Sequence, residues 1–102
     1  MTITAYIASF FAGMFLANAV PHFVHGISGN KFPTPFSKPR GIGLSSSTVN
    51  VLWALFNIAV GYLLAKGGNI CGERPASLLL FFAGVSLMSI FASVRFRQKH
   101  TA

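Results

Sequence analysis

The chain has 102 residues, enough for one domain at most, with 53% hydrophobic and only 9% charged residues. A soluble domain carries about 25% charged residues, so a soluble fold of this composition would expose large apolar patches. Glu73 is the only acid against eight bases, which gives a net charge of +7. The bases lie between and after apolar runs, so they favour an anionic membrane surface as the partner and argue against nucleic acid.

Three segments without Lys, Arg, Asp or Glu predict three transmembrane helices. They lie within residues 1–30, 41–65 and 75–94. Each offers the roughly 20 residues that a helix needs to cross the hydrocarbon core, and none alternates as a strand would. We therefore expect an all-α fold with a single transmembrane domain over residues 1–102. Its helices should cover about residues 3–25, 44–66 and 75–95.

Local signals support these boundaries. Residues 45–48 are possible N-caps, residues 67–69 suit a C-cap, and Pro75 suits a first helical turn. A cleaved signal peptide is the alternative for the first span, because residues 17–19 resemble a cleavage site. The lack of a base before that span, and Pro21 just after the possible cut, argue against cleavage.

The bases also predict how the chain is oriented. Three bases lie between the first two spans, namely Lys31, Lys38 and Arg40. Three follow the third span, namely Arg95, Arg97 and Lys99. Two lie between the second and third spans, namely Lys66 and Arg74. By the positive-inside rule, we expect the N-terminus outside and the C-terminus in the cytoplasm.

In that orientation, nearly all polar side chains of the spans fall in the cytoplasmic half. They recur at helical spacing on three faces: Asn18, His22 and His25; Asn50 and Asn57; and Ser86, Ser89 and Ser93. Because unpaired polar groups are costly in lipid, we expect these faces to point inward at one another. Hydrogen bonds between helices are the ordinary role for such residues, and a polar pocket open to the cytoplasm is the functional alternative.

The candidate binding site combines five residues near the inner headgroup level: His22, His25, Lys38, Arg40 and Asn50. No carboxylate lies within the spans, and the N–H groups at the start of the second helix attract anions. The site should therefore prefer an anion, most simply a phospholipid headgroup, with His22 close to Asn50. The alternative is a basic loop that only fixes orientation. We expect no metal, since zinc normally takes three or four protein ligands, and no cofactor.

The first span also carries small residues every fourth position, which allow close helix packing. This small-residue stripe consists of Ala5, Ser9, Gly13 and Ala17. Its possible partner is the second span, where Asn57, Gly61 and Ala65 follow the same spacing. A neighbouring copy is the alternative partner. Trp53 should be a helix-contact residue whose indole N–H finds a partner.

The segment from residue 26 to residue 43 contains three prolines and four glycines, which exclude a continuous helix. Phe32 and Phe36 flank two of the prolines, so we expect an ordered interfacial loop with both rings in the headgroup region or against the helix ends.

Residues 13–61 resemble a family of small bacterial inner-membrane proteins of uncharacterised activity. The motifs that carry the resemblance run from Asn18 through His22 and His25, Phe32 and Phe36, to Asn50 and Trp53. The resemblance implies a bacterial membrane and no mechanism.

Three functions are compatible with the sequence. The first is a non-enzymatic membrane subunit or oligomer-forming module, which binds a second copy or another membrane protein. The second is a transport or channel protomer with a pathway between copies. The third and least expected is a lipid-active enzyme using His22 or His25 as base, since no nucleophile motif appears.

Overall fold

A computed structural model describes residues 2–40, 42–69, 72 and 75–97. Over these residues the fold is three α-helices without a strand: α1 (Thr2–Ile27), α2 (Ser47–Gly68) and α3 (Pro75–Arg95). All three are long and apolar enough to cross a membrane. The predicted all-α fold with three spans is confirmed, and the chain is a multi-pass membrane protein. The expected positions of Cys71, Glu73, Arg74 and Lys99 fall outside the described residues.

The helices begin and end largely where the sequence signals predict. The side chain of Ser46 caps α2 by accepting a hydrogen bond from the Val49 N–H at 3.2 Å. Asn69 ends α2 in the left-handed conformation, with φ 52° and ψ 48°. Pro75 begins α3, and Pro21 lies inside α1 without ending it. Residues 44–46, expected in the second helix, belong instead to the preceding loop.

The central helix is α1, because both other helices pack on it and hardly touch each other within the described residues. It runs antiparallel to α2. Gly26 of α1 faces Ser47 at the start of α2, and Ser9 faces Gly68 at its end. Between these points Gly61 packs against the side chain of Leu16. The helix α3 runs parallel to α1, as a chain with three spans requires.

A pair of glycines sets the approach of α1 and α3. A Cβ on Gly13 would lie 2.8 Å from the backbone N of Val85 and closer still to the carbonyl oxygen of Phe81. A Cβ on Gly84 would overlap the carbonyl oxygen of Phe10. Each glycine therefore faces the backbone of the other helix, an approach that side chains would prevent.

This packing corrects the expected role of the small-residue stripe. Gly13 contacts α3, whereas the sequence suggested the second span or another copy. Ala5 and Ser9 lie against Gly68 at the end of α2, and Ser9 Oγ donates hydrogen bonds to the carbonyls of Ala5 and Gly68 at 2.9 and 3.3 Å. The first three residues of the stripe are therefore divided between two neighbours inside the chain, whereas Ala17 lines a groove between α1 and α3.

The serines of α3 are a second correction. Ser86, Ser89 and Ser93 are exposed, not turned toward the polar faces of the other helices. Ser93 Oγ donates instead to the carbonyl oxygen of Ile90 in its own helix, at 2.7 Å. A serine can satisfy its hydroxyl on the preceding turn, so it needs no partner on another helix.

Candidate functional site

The loop between α1 and α2 is ordered by its own hydrogen bonds. Phe32 and Ser45 pair in antiparallel fashion, with backbone N···O distances of 3.2 and 3.0 Å. The hydroxyls of Thr34 and Ser45 lie 2.6 Å apart, and both side chains are buried. This pairing takes residue 45 out of the second helix and closes the loop over the helix ends.

Asn50, in the first turn of α2, ties this loop to the bundle. Its Nδ2 donates to the carbonyl oxygens of Phe32, Ser46 and Ser45 at 2.9, 3.0 and 3.3 Å. Three carbonyls around the amide nitrogen fix the orientation of the amide, so Oδ1 is the acceptor that faces α1. The side chain is fully buried.

His22 completes this network from α1. Its Nδ1 lies 2.8 Å from Asn50 Oδ1, so Nδ1 carries the proton and donates. Only 2% of His22 is exposed. The expected proximity of His22 and Asn50 is therefore observed, and the amide of Asn50 is fully engaged within the protein. The pair joins α1, α2 and the loop through hydrogen bonds.

An aromatic cluster extends this network to the end of α3. Phe32 is buried, with His25 stacked on it at 4.4 Å between ring centroids and His22 edge-on at 5.4 Å. Phe96, just after α3, packs on Phe32 at 4.5 Å. Phe36 is mostly exposed and meets Trp53 edge-on. Phe32 thus joins the loop to the ends of α1 and α3.

The five predicted site residues are consequently divided. His22 and Asn50 touch directly, and His25 joins them through Phe32. Lys38 and Arg40 are exposed on the loop and outside this buried network. His22 and Asn50 already bond within the protein, so the two loop bases are the members of this set that are exposed to an approaching ligand.

A second polar pair lies deeper in the bundle. Asn57 is buried, accepts from Asn18 Nδ2 at 3.2 Å and donates to the carbonyl oxygen of Trp53 at 2.8 Å. This contact is the interhelix hydrogen bond that the spacing of the asparagines predicts.

A pocket of about 170 Å³ opens beneath the loop, where all three helices meet. The three helices contribute Asn18, His22, Trp53, Phe91 and Arg95 to its lining. The loop contributes Pro33, Thr34 and Pro35, and Phe96 lines the pocket just after α3. The indole Nε1 of Trp53 is buried and has no hydrogen-bond partner among the described residues. An unpaired buried donor costs about 1–3 kcal/mol. The sequence predicted a partner for this N–H, and the structure corrects that expectation.

The sequence did not single out Arg95 or Trp53 as site residues. Arg95 is the last residue of α3 and appeared only as one of the orientation-setting bases. Arg95 lines the same pocket as a tryptophan of another span because of how the helices pack, and no local sequence pattern predicts this. The one available signal was the placement of Trp53 inside its span, away from the interface where indoles usually lie.

A larger groove of about 600 Å³ lies on the other side of the aromatic cluster, between α1 and α3. Its walls are mainly apolar, including Val20, Val24 and Val85, and His25 and Arg97 also line it. Ser89 lies on the same wall of α3. The surrounding lipid can fill such an open, apolar groove.

Comparisons with protein-family models, with curated proteins and with solved structures give no match for this chain. The functional argument therefore depends on the geometry of the described residues.

Proposed function

We propose that the protein is a non-enzymatic module of the bacterial inner membrane, with its basic end against the anionic cytoplasmic leaflet. It works as a subunit together with a second copy or another membrane protein. The packing of Phe32 on Phe96, with 4.5 Å between the ring centroids, supports this proposal best. It puts the basic loop and the basic end of α3 at the same end of the bundle.

Charge at that end supports association with anionic headgroups. Lys31, Lys38 and Arg40 are exposed on the loop, and Arg97 is exposed just beyond α3. Each base near an anionic surface contributes about 1 kcal/mol of attraction. At the opposite end, Lys66 is the base among the described residues. The positive-inside rule then supports a cytoplasmic C-terminus and an N-terminus on the outer side.

Reporter fusions test this orientation. Alkaline phosphatase fused at the C-terminus should be inactive, and a fluorescent protein fused there should fluoresce. A phosphatase fusion truncated after Asn69, in the opposite connection, is the matched control and should be active. An active C-terminal phosphatase would overturn the orientation.

Lipid retention tests the role of the loop bases. The double variant Lys38→Ala/Arg40→Ala should insert normally and keep its helical circular dichroism, because both side chains are exposed. It should retain less phosphatidylglycerol through purification, measured by lipid mass spectrometry. Lys66→Ala, which removes a base from the other end, should retain as much as the wild type. Equal retention by the double variant and the wild type would contradict attraction by these bases.

The exposed sides of the outer helices support the subunit role. Leu79 is 70% exposed on α3 and Leu63 is 66% exposed on α2, and each of these helices is covered on one side only by α1. Either lipid or another membrane protein covers these surfaces. Three residues of the small-residue stripe, Ala5, Ser9 and Gly13, pack inside the chain, which leaves these outer surfaces for association.

Cysteine crosslinking in native membranes tests that association. In a Cys71→Ser background, Leu79→Cys or Leu63→Cys should give crosslinked species with a second copy or a distinct partner. Ala12→Cys is the matched control, since Ala12 is fully buried inside the chain and should not react. A monomer without co-purifying protein in mild detergent, together with no crosslink at either position, would refute the subunit proposal.

The transport alternative receives no comparable support. Its pathway was expected along the Asn and His faces, but His22 and Asn57 bond to partners within the same chain.

A further inference from the structure

We infer that the groove between α1 and α3 binds one anionic phospholipid, with an acyl chain along the groove and the headgroup phosphate beside Arg97. This inference rests on the proposed contact of the basic end with an anionic leaflet, and it assigns one lipid of that leaflet to a defined surface. The groove is separate from the exposed loop bases, because Lys38 and Arg40 do not line it.

The groove runs along the helix axes, as an acyl chain does in a bilayer. On α1 its wall includes Ala17, Val20 and Val24, and on α3 it extends from Val85 to Ser93. The positions on α1 follow helical spacing, so they share one face of that helix. The groove is therefore parallel to the spans and open to lipid along its side.

Small side chains leave the space for the groove, and a close helix contact ends it. Ala17, Ser89 and Ala92 line the groove, where larger side chains would fill it. One turn before Ala17, Gly13 faces the backbone of Val85, so the two helices touch at this level. The groove is therefore closed toward the middle of the bundle and extends from there to the basic end.

The length of the groove corresponds to one leaflet. The α3 wall from Val85 to Ser93 rises about 12 Å, and Phe96 extends the wall beyond the helix. One leaflet contributes about 15 Å, half of the roughly 30 Å of the hydrocarbon core. A groove that starts near the middle of the bundle and ends at the basic end therefore matches an acyl chain of the leaflet at that end.

The volume of the groove favours an acyl chain over a helix of another protein. The groove encloses about 600 Å³. A helix with its side chains is about 10 Å across, so about 12 Å of it occupies roughly 900 Å³ and does not fit within the groove. An acyl chain is narrower and flexible, so it can follow the whole length of the wall.

The basic end of the groove selects the headgroup. Arg97 lines the groove just beyond α3 and is exposed. A guanidinium can pair with phosphate through two parallel N–H···O bonds. No acidic residue is among the described residues that line the groove. A phospholipid with net negative charge therefore matches both the apolar wall and the base, whereas a zwitterionic lipid brings a cation of its own near Arg97.

Native mass spectrometry of the full chain tests the site. The chain is reconstituted in nanodiscs that contain phosphatidylglycerol and phosphatidylcholine in equal amounts, with the same acyl chains, and bound lipids are counted as the collision energy rises. We expect one phosphatidylglycerol per chain to remain bound after the other lipids have dissociated. Equal retention of the two lipids, or loss of all lipids together, would overturn the inference.

Two exposed serines of α3 provide a matched pair of variants, since Ser89 lines the groove and Ser86 does not. Ser89→Leu puts a larger apolar side chain in the groove, so the retained phosphatidylglycerol should fall by about tenfold or more. Ser86→Leu makes the same change outside the groove and should retain as much as the wild type. Equal retention by the two variants would overturn the site. If Ser89→Leu disrupts a complex with a second copy and leaves the lipid count unchanged, a protein occupies the groove and the inference fails.

Two exposed bases test the headgroup contact and cover the case in which Ser89→Leu fails to fold. Arg97→Gln should lower the retained phosphatidylglycerol by about fivefold or more, because it removes a charge-assisted pairing with phosphate. Lys31→Gln removes the same charge, but Lys31 does not line the groove, so retention should stay within about twofold of the wild type. Equal loss in both variants would show general attraction to a basic surface and overturn the site.

The loop-base variant separates failure of this inference from failure of the proposed association. Lys38→Ala/Arg40→Ala should lose loosely held phosphatidylglycerol and keep the one tightly bound lipid, because neither base lines the groove. Loss of the tightly bound lipid in this variant, with normal retention in Arg97→Gln, would place the lipid at the loop and overturn the groove site.

Discussion

Adding one methyl group at the α1–α3 crossing should destabilise the protein strongly. In Gly84→Ala the new Cβ would overlap the carbonyl oxygen of Phe10 and lie 3.1 Å from the backbone N of Met14. In Gly13→Ala it would lie 2.8 Å from the backbone N of Val85. Backbone atoms cannot rotate away as a side chain would, so the two helices must separate.

The expected magnitude follows from two opposing effects. Overpacking costs roughly 1–3 kcal/mol, and the rigid backbone on both sides favours the upper part of this range. Replacing a helical glycine by alanine returns about 0.5–1 kcal/mol through backbone entropy. We therefore expect each variant to lose about 2 kcal/mol of unfolding free energy. The loss should be similar for Gly13 and Gly84, because each added Cβ would meet backbone atoms of the other helix.

Gly67→Ala is the matched control. Gly67 also lies in a helix, but its added Cβ would meet only the Cβ of Ala8, at an ordinary 3.8 Å. This variant should be as stable as the wild type or slightly more stable. Unfolding is followed by far-ultraviolet circular dichroism during titration of mixed micelles with dodecyl sulfate. The packing argument is refuted if Gly84→Ala unfolds at the same dodecyl sulfate fraction as Gly67→Ala.

Three further predictions concern the polar network and the loop. Asn50→Ala should lower the free energy of unfolding by about 2–4 kcal/mol and expose the loop to protease, because four hydrogen bonds disappear and the His22 N–H and the carbonyls are left buried without that partner. Asn57→Ala should destabilise the bundle without opening the loop. Equal loop cleavage in both variants would contradict this. Phe32→Ala should lower the free energy of unfolding by about 3–5 kcal/mol, since Phe32 is 2% exposed. Phe36→Ala should lower it far less, because Phe36 is 65% exposed. Comparable midpoints of thermal unfolding in the two variants would refute the assignment of Phe32 to the core. Ser77→Ala should leave stability unchanged or raise it by about 1 kcal/mol, because the buried Ser77 hydroxyl has no partner among the described residues; a lower unfolding midpoint would show that this hydroxyl has a partner.

The sequence by itself determined the three helices and their approximate limits. The length of an uncharged segment can be read from the local sequence, and it predicts a transmembrane helix because burying a charge in lipid is costly. Capping chemistry is local as well, so Ser46, Asn69 and Pro75 lie at helix ends as predicted. The proximity of His22 and Asn50 also followed, since two antiparallel spans joined by a loop bring both residues to the same depth.

Only the tertiary structure decided which helix faces meet. All three helices are apolar on nearly every side, and none is strongly amphipathic, so hydrophobic pattern does not distinguish a lipid-facing side from a packed one. The contact of Gly13 with α3 therefore could not be read from spacing, and neither could the exposure of Ser89. The pocket that Trp53 and Arg95 line could not be predicted from spacing either. Its residues lie far apart in sequence, and the crossing of three helices brings them together.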